Sequence, residues 1–409
     1  MTAASSPAPS PAVAPPPGSP RFALFDSLRG IAVLCIIAFH VSSITGALSA
    51  GAAGNALAVL GPQALLQFFV ISGFLLYRPF VAARASGAPR PDSRRYARRR
   101  VLRIVPAYWV ALTVLAVFPG IAGVFGGDWW RYYFFLQVYS GDTAGRGIPV
   151  AWSLCVEVTF YLLLPLWAVG VRRLSLGSGP RAWLRTELCA LVVIASCGVA
   201  VQMAAARNLI SDRVSTTLLG QIVWLSLGMA LAVASVAADR GELNPRAVRA
   251  VSDHPGLCWL GAGAAFAALT ALLHPGGLFG IVQTLTTSQP VGKTIAAIAL
   301  GLALNALIVA PAIFGESAGG LPRRVLALAP LAWLGLVSYG MYLWHLAIVE
   351  LLGLRADPAH FSAAGLGLAE RIERLTTPVL YVIAVAASAA VAAVSYYVIE
   401  LPFLRRKER

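Results

Sequence analysis

Ten stretches of about twenty apolar residues recur along the chain, near 27–46, 62–83, 102–124, 150–171, 186–206, 216–238, 256–274, 294–314, 331–353 and 377–400. Each is long enough to cross roughly 30 Å of hydrocarbon. Inside lipid a segment must satisfy its own backbone hydrogen bonds, so each is predicted to be a helix. The expected fold class is therefore all-α: a polytopic membrane helix bundle of about ten transmembrane helices. Composition agrees, because only 12% of the residues are charged, against about a quarter in a soluble domain. A soluble enzyme of 409 residues would need far more polar surface.

The net charge of +15 does not point to nucleic acid, since the arginines sit between apolar runs and form no basic soluble face. With the N-terminus placed in the cytoplasm, the cytoplasmic segments hold 23 basic residues and the opposite loops hold 8. That bias fits the positive-inside pattern with both termini cytoplasmic, as a multi-pass protein of the plasma membrane. The Pro/Ala/Ser-rich residues 1–20 are expected to be a disordered tail without the apolar core of a secretory signal. A transmembrane domain is expected over 21–404, followed by a basic cytoplasmic tail at 405–409. Asp128–Tyr139 is aromatic but too short to span, so it is expected to be interfacial or re-entrant. The five cysteines show no paired spacing and are expected to be small core residues, not a disulfide framework or a metal site.

Ionisable groups inside spans are costly and mark function by default. Arg29 and His40 share the first span, eleven residues apart. That spacing puts them on one helical face about 16 Å apart along the axis. Asp26 is expected to cap that helix beside Arg29. Counting about 1.5 Å per residue from the outer edge places His40, Glu157 of the fourth span and His345 of the ninth at one depth. A shared polar cavity would be cheaper than three separate burials. A neutral imidazole, with an unperturbed pKa near about 6.5, can take a proton from a hydroxyl. Glu157 could orient such an imidazole or grip a substrate hydroxyl. Tyr342, one turn before His345, could donate to a developing oxyanion, although interfacial anchoring explains it as well. Ser72 and Gly73 are expected to serve close helix packing more than chemistry, and Cys155 is expected to be a buried apolar cysteine.

Between the second and third spans, Arg94, Arg95, Arg98, Arg99, Arg100 and Arg103 crowd one short stretch. Attraction to anionic lipid would explain much of this cluster. Arg100 and Arg103, one turn apart, can both face the helix entrance and bind phosphates bidentately.

These pieces together resemble the acyltransferase-3 family of integral membrane O-acyltransferases. The matches are DSLRG with Arg29 and then His40, FFVISGF at 68–74, RRVLRIVPAYW at 99–109, WSLCVEVTFYLLLP at 152–165, SYGMYLWH at 338–345 and IELPF at 399–403. They run in order over nearly the whole chain, from Arg21 to Phe403. Where many polysaccharide-modifying members continue the WSLxxE motif with a second acid and a glutamine, this chain has Val158 and Thr159. Its length is similar to that of stand-alone members without a fused hydrolase-like domain.

The resemblance implies transfer of an acyl group, expected to be acetyl, from acyl-CoA to a hydroxyl of a carbohydrate or a glycosylated small molecule. It assigns the essential histidine to His40, its partner arginine to Arg29, the RxxR pair to Arg100 and Arg103, and the motif acid to Glu157. Arg29, Arg100 and Arg103 would hold the donor's phosphates. Glu157, Tyr342 and His345 would orient the acceptor or steady the tetrahedral intermediate. Acyl-CoA would be a co-substrate, with no tightly bound cofactor and no metal, and the bilayer would be the other partner. The competing reading is a proton-coupled small-molecule transporter, which would also want a polar midplane. A non-catalytic membrane anchor has little reason to bury three ionisable groups.

Overall fold

The computed structural model describes Phe22 and residues 24–174, 179, 181–273, 290–315, 319–353 and 376–405. The tail at 1–20, four arginines counted toward topology (Arg21, Arg355, Arg371 and Arg374), and residues 406–409 lie outside the described residues.

Among the described residues ten helices are long and apolar enough to cross a membrane, and no strand occurs. They are α1 (Leu24–Ile44), α2 (Gly51–Ala85), α3 (Ser93–Val117), α4 (Trp152–Arg173), α5 (Ala182–Ala206), α6 (Leu218–Asp239), α7 (Pro255–Leu273), α8 (Val291–Ile313), α9 (Ala329–Gly353) and α10 (Thr377–Ser395). All ten expected spans are present, and the differences lie at their ends. The third helix stops at Val117 and not near 124. Phe118 precedes Pro119, is pushed to extended backbone (φ −148°, ψ 124°), and ends the helix. At its other end α3 starts at Ser93, so the arginine run forms its first turns. The Asp92 side chain caps it by accepting from the Arg94 N–H at 2.8 Å. Asp26 is not a cap: α1 begins at Leu24, and Asp26 lies in its first turn.

Phe22, Asp26, Leu404 and Arg405 line one cavity. The two ends of the described chain therefore meet at one end of the bundle, as an even number of spans requires. Arg84 donates to the Leu174 carbonyl and Arg172 to the Ala88 carbonyl at that same end.

Glycines let two helix pairs approach backbone to backbone. A Cβ on Gly335 of α9 would lie 1.7 Å from the Asp26 carbonyl oxygen, and one on Gly30 of α1 would lie 2.6 Å from the Leu331 oxygen. A Cβ on Gly73 of α2 would meet the Leu225 oxygen at 2.3 Å, and one on Gly228 of α6 the Val70 oxygen at 2.0 Å. In lipid, where apolar burial does not drive helix association, this close fit is what holds helices together. The packing role expected of Gly73 is therefore present.

Two further expectations change. The cysteines are not uniformly core: Cys155 and Cys258 are buried, whereas Cys189 and Cys197 lie exposed on α5. Arg323, counted among the topology charges, is buried and donates to four backbone carbonyls: Pro311, Ser252, Gly319 and Phe314, at 2.7–3.1 Å. Pro311 and Phe314 belong to the C-terminal end of α8, whose last carbonyls have no helical donor. Burial lowers the Arg323 pKa from its ordinary value.

Candidate active site

The aromatic segment after α3 folds back into the bundle. The Tyr108 hydroxyl donates to the Tyr132 carbonyl at 2.9 Å, the Trp109 indole to the Tyr133 carbonyl at 2.8 Å, and the Tyr139 and Thr159 hydroxyls are 2.7 Å apart. Tyr108 lies fifteen residues into α3, about 22 Å along it. The segment is therefore re-entrant, one of the two alternatives its composition allowed.

That fold-back determines where α4 begins. Its first turn starts inside the bundle, with Ser153 Oγ 2.8 Å from the Tyr342 hydroxyl. Tyr342 is thirteen residues into α9, about 20 Å from the arginine-rich end. Glu157, one turn further, accepts from Ser72 at 3.0 Å and from the Tyr161 hydroxyl. Arg29, Arg100 and Arg103 are cations whose charges reach it. Glu157 thus sits among arginines and not at the depth of the two histidines. Counting residues from a membrane edge fails here because α4 does not start at an edge.

His40 and His345 do come together, with ring centroids 5.1 Å apart. Each lies sixteen residues into its helix, and α1 and α9 run side by side in the same direction through the Gly30–Gly335 contact. His345 is fully buried, and its Nδ1 lies 2.9 Å from the Tyr342 carbonyl and 3.1 Å from that of Met341. Both neighbours are acceptors, so Nδ1 carries the proton and Nε2 presents a lone pair. That Nε2 has no hydrogen-bond partner.

A cavity of about 540 Å³ opens beside α3 at the arginine-rich end, a volume typical of small-molecule sites. Arg29, Arg95, Arg99, Arg100, Arg103 and Arg405 line it against only Asp26, Asp92 and Glu157. This surplus of cations suits an anionic ligand. Arg29 keeps an ion pair with Asp26 at 3.6 Å, while the buried Nε groups of Arg99 and Arg100 have no partner. Buried donors of that kind are exceptional in a folded protein and fit a site that receives acceptors. Inward, the lining ends at Ser72, Ser153, Glu157, Tyr161 and Tyr342, with Leu65, Phe68 and Phe69 supplying apolar wall.

Of the expected site residues, Arg29, Arg100, Arg103, Glu157 and Tyr342 share this cavity, whereas His40 and His345 are not in its lining. His345 lies one turn beyond Tyr342, their rings 5.8 Å apart. The expected single polar cavity is instead an arginine chamber and a histidine pair with Tyr342 at the boundary. The Tyr342 hydroxyl donates to the Val150 carbonyl at 2.7 Å, so its proton is committed in this arrangement. Tyr161 and Ser72 are the functional neighbours that the sequence reading did not single out for chemistry. Tyr161 is four residues from Glu157 on one helical face, a spacing that could have found it. Ser72 is eighty-five residues away in another helix, and no local signal joins them.

The acyltransferase-3 family model, described as an acyltransferase domain, matches residues 22–397. The peptidoglycan O-acetyltransferase OatA of Listeria monocytogenes is 25% identical over 351 residues, covering 80% of this chain and 49% of that protein. The O-acetyltransferase OatA of Staphylococcus aureus is 29% identical over 163 residues, covering 36% of this chain and 25% of that protein. The chain thus spans half or less of the length of these curated relatives. No solved structure matches. With the match running from the first turn before α1 to the end of α10, the chain belongs to the acyltransferase-3 family.

Proposed function

We propose that the protein is a membrane O-acyltransferase that moves an acetyl group from acetyl-CoA to a carbohydrate hydroxyl. One observation carries this reading: a chamber with six arginines in its lining leads inward to Tyr342, and the His40–His345 pair stands one turn beyond. Guanidinium forks match phosphate geometry and keep their charge at any working pH. Arg29, Arg100 and Arg103 hold the donor's phosphates, and the thioester extends inward past Ser72 and Tyr342.

At the inner end, the acceptor oxygen attacks the thioester carbonyl carbon while His40 takes the hydroxyl proton. Collapse of the tetrahedral intermediate breaks the C–S bond. The CoA sulfur leaves and regains a proton from the His40 imidazolium, so the products are the ester and the free thiol. His345, its tautomer set by two carbonyls, turns a lone pair toward the pair's shared space and steadies His40 or the acceptor. Glu157, held by two hydroxyls among the arginines, is their counter-charge within the chamber.

The acceptor class is a sugar of the cell envelope or a glycosylated small molecule, supported by the peptidoglycan named for the Listeria relative. The donor enters from the cytoplasmic side of the plasma membrane, with both termini there, supported by the 23:8 bias of basic residues. The test uses purified protein, acetyl-CoA and soluble peptidoglycan fragments or glycosides, with release of CoA thiol and of acetylated sugar as readouts. Wild type releases both and His40→Ala releases neither. Transfer at the wild-type rate by His40→Ala would remove His40 as the base.

A further inference from the structure

Two aromatic side chains in the chamber wall have no part in the chemistry proposed above. Phe80 lies near the end of α2 and Tyr96 in the first turn of α3. The short connection between the helices turns at Gly87, whose φ of +71° suits glycine. Asp92 then caps α3, and its carbonyl accepts from the Tyr96 N–H at 2.9 Å. The two rings meet edge to face, with centroids 5.8 Å apart and planes at 73°. Both line the chamber, next to Pro79 and Pro91. Two rings near a right angle make an apolar corner, in which a planar group can stack on one face and set its edge toward the other.

The corner carries one unanswered polar atom. The Tyr96 hydroxyl is buried and has no hydrogen-bond partner among the described residues. Packing of the α2–α3 connection accounts for the ring contact but not for a phenol left unpaired in a chamber wall. A buried hydroxyl without a partner is exceptional and fits a ligand that brings one.

Depth adds an order. Tyr96 shares one face of α3 with Arg99, Arg100 and Arg103, and Arg103 lies seven residues, about 10 Å, further in. Next on α3, the Ile104 carbonyl accepts from the Tyr339 hydroxyl at 2.8 Å, and Tyr342 stands one turn deeper on α9. From the mouth inward the chamber therefore offers an aromatic corner with a free hydroxyl, then guanidinium groups, then Tyr342. That is the order of parts along an acyl-CoA: base, phosphates, arm and thioester.

We propose that Phe80 and Tyr96 form the subsite for the donor's purine base, with the Tyr96 hydroxyl bonding the polar edge of the ring system. This rests on the acyl-CoA reading above. The corner lies far from the reacting carbonyl, so it sets donor affinity and the choice of a nucleotide-bearing thioester over a shorter phosphorylated one, and leaves the chemical step alone.

The test compares two donors, acetyl-CoA and acetyl-4′-phosphopantetheine, which carries the same arm and a phosphate but no base. Full-length protein in neutral-lipid nanodiscs is assayed for transfer, and CoA binding is measured by calorimetry. Tyr96→Ala should weaken CoA binding and raise the acetyl-CoA KM about tenfold, the usual scale of one base stacked on an aromatic ring. Its kcat should change less than about twofold, and kcat/KM with acetyl-4′-phosphopantetheine should stay within about twofold of wild type. Tyr96→Phe, which keeps the ring and loses the hydroxyl, should lose about threefold in CoA affinity. If Tyr96→Ala fails to fold, Tyr96→Phe and Phe80→Leu carry the test: each must impair acetyl-CoA more than the base-free donor. Equal losses with both donors would mean a packing role and overturn the inference, as would wild-type CoA affinity in Tyr96→Ala. Absence of CoA binding by the wild-type protein would instead remove the donor reading itself.

Discussion

The rings of His40 and His345 lie 5.1 Å apart because α1 and α9 touch backbone to backbone at Gly30 and Gly335. Ten residues beyond Gly30 in one helix and ten beyond Gly335 in the other, the two side chains converge. The histidine pair is thus a consequence of two glycines near the arginine-rich end.

Gly335→Ala should therefore impair activity without touching a reacting group. Its Cβ would lie 1.7 Å from the Asp26 carbonyl oxygen, so the helices must part, at a cost of about 1–3 kcal/mol. The thermal midpoint in detergent should fall and transfer should drop with it. Gly263→Ala, where nothing lies within 4 Å, should leave both unchanged or raise stability slightly, as alanine favours helix more than glycine.

His40→Ala should separate catalysis from donor binding. His40 is absent from the chamber lining, so CoA affinity measured by calorimetry should stay within about twofold of wild type. Transfer should fall about 10²–10⁴-fold, the usual contribution of a general base. A parallel loss of CoA affinity would place His40 in donor binding instead.

Arg100→Gln and Arg103→Gln should each weaken CoA binding by about tenfold or more, as lost bonds to a charged phosphate do. Arg94→Gln changes an exposed arginine outside the lining and should change binding little. Equal effects at all three positions would mean a diffuse surface field rather than a built site.

Ser72→Ala and Tyr161→Phe each remove one hydrogen bond from Glu157. Each should reduce kcat/KM for acetyl-CoA by about tenfold, in line with roughly 1.5–3 kcal/mol for a bond to a charged group. In a Glu157→Gln background the same changes should cost much less, which a double-mutant cycle reads directly.

Arg323→Ala should act on stability alone. It strips the donors from four carbonyls at the end of α8 and nearby loops, at a cost of about 3 kcal/mol or more. The thermal midpoint should fall clearly, while the CoA affinity of the remaining folded protein should match wild type.

All ten helices were legible in the order of residues, because a stretch of about twenty apolar residues in lipid has one way to satisfy its backbone. Arg29, Arg100 and Arg103 were legible as a cationic site from their position in or beside spans where charge is scarce, and His40 and His345 as ionisable groups inside separate spans. The level of Glu157 was not, because it depends on residues 129–151 folding back and starting α4 inside the bundle. Nor were Ser72 as its partner or Arg323 as a cap, since each bond joins residues distant in sequence. Periodicity along one helix determines which face a residue occupies. Which face meets which, and at what depth, is decided only where glycines let two backbones touch and a loop turns back into the bundle, and that decision separates the arginine chamber from the histidine pair.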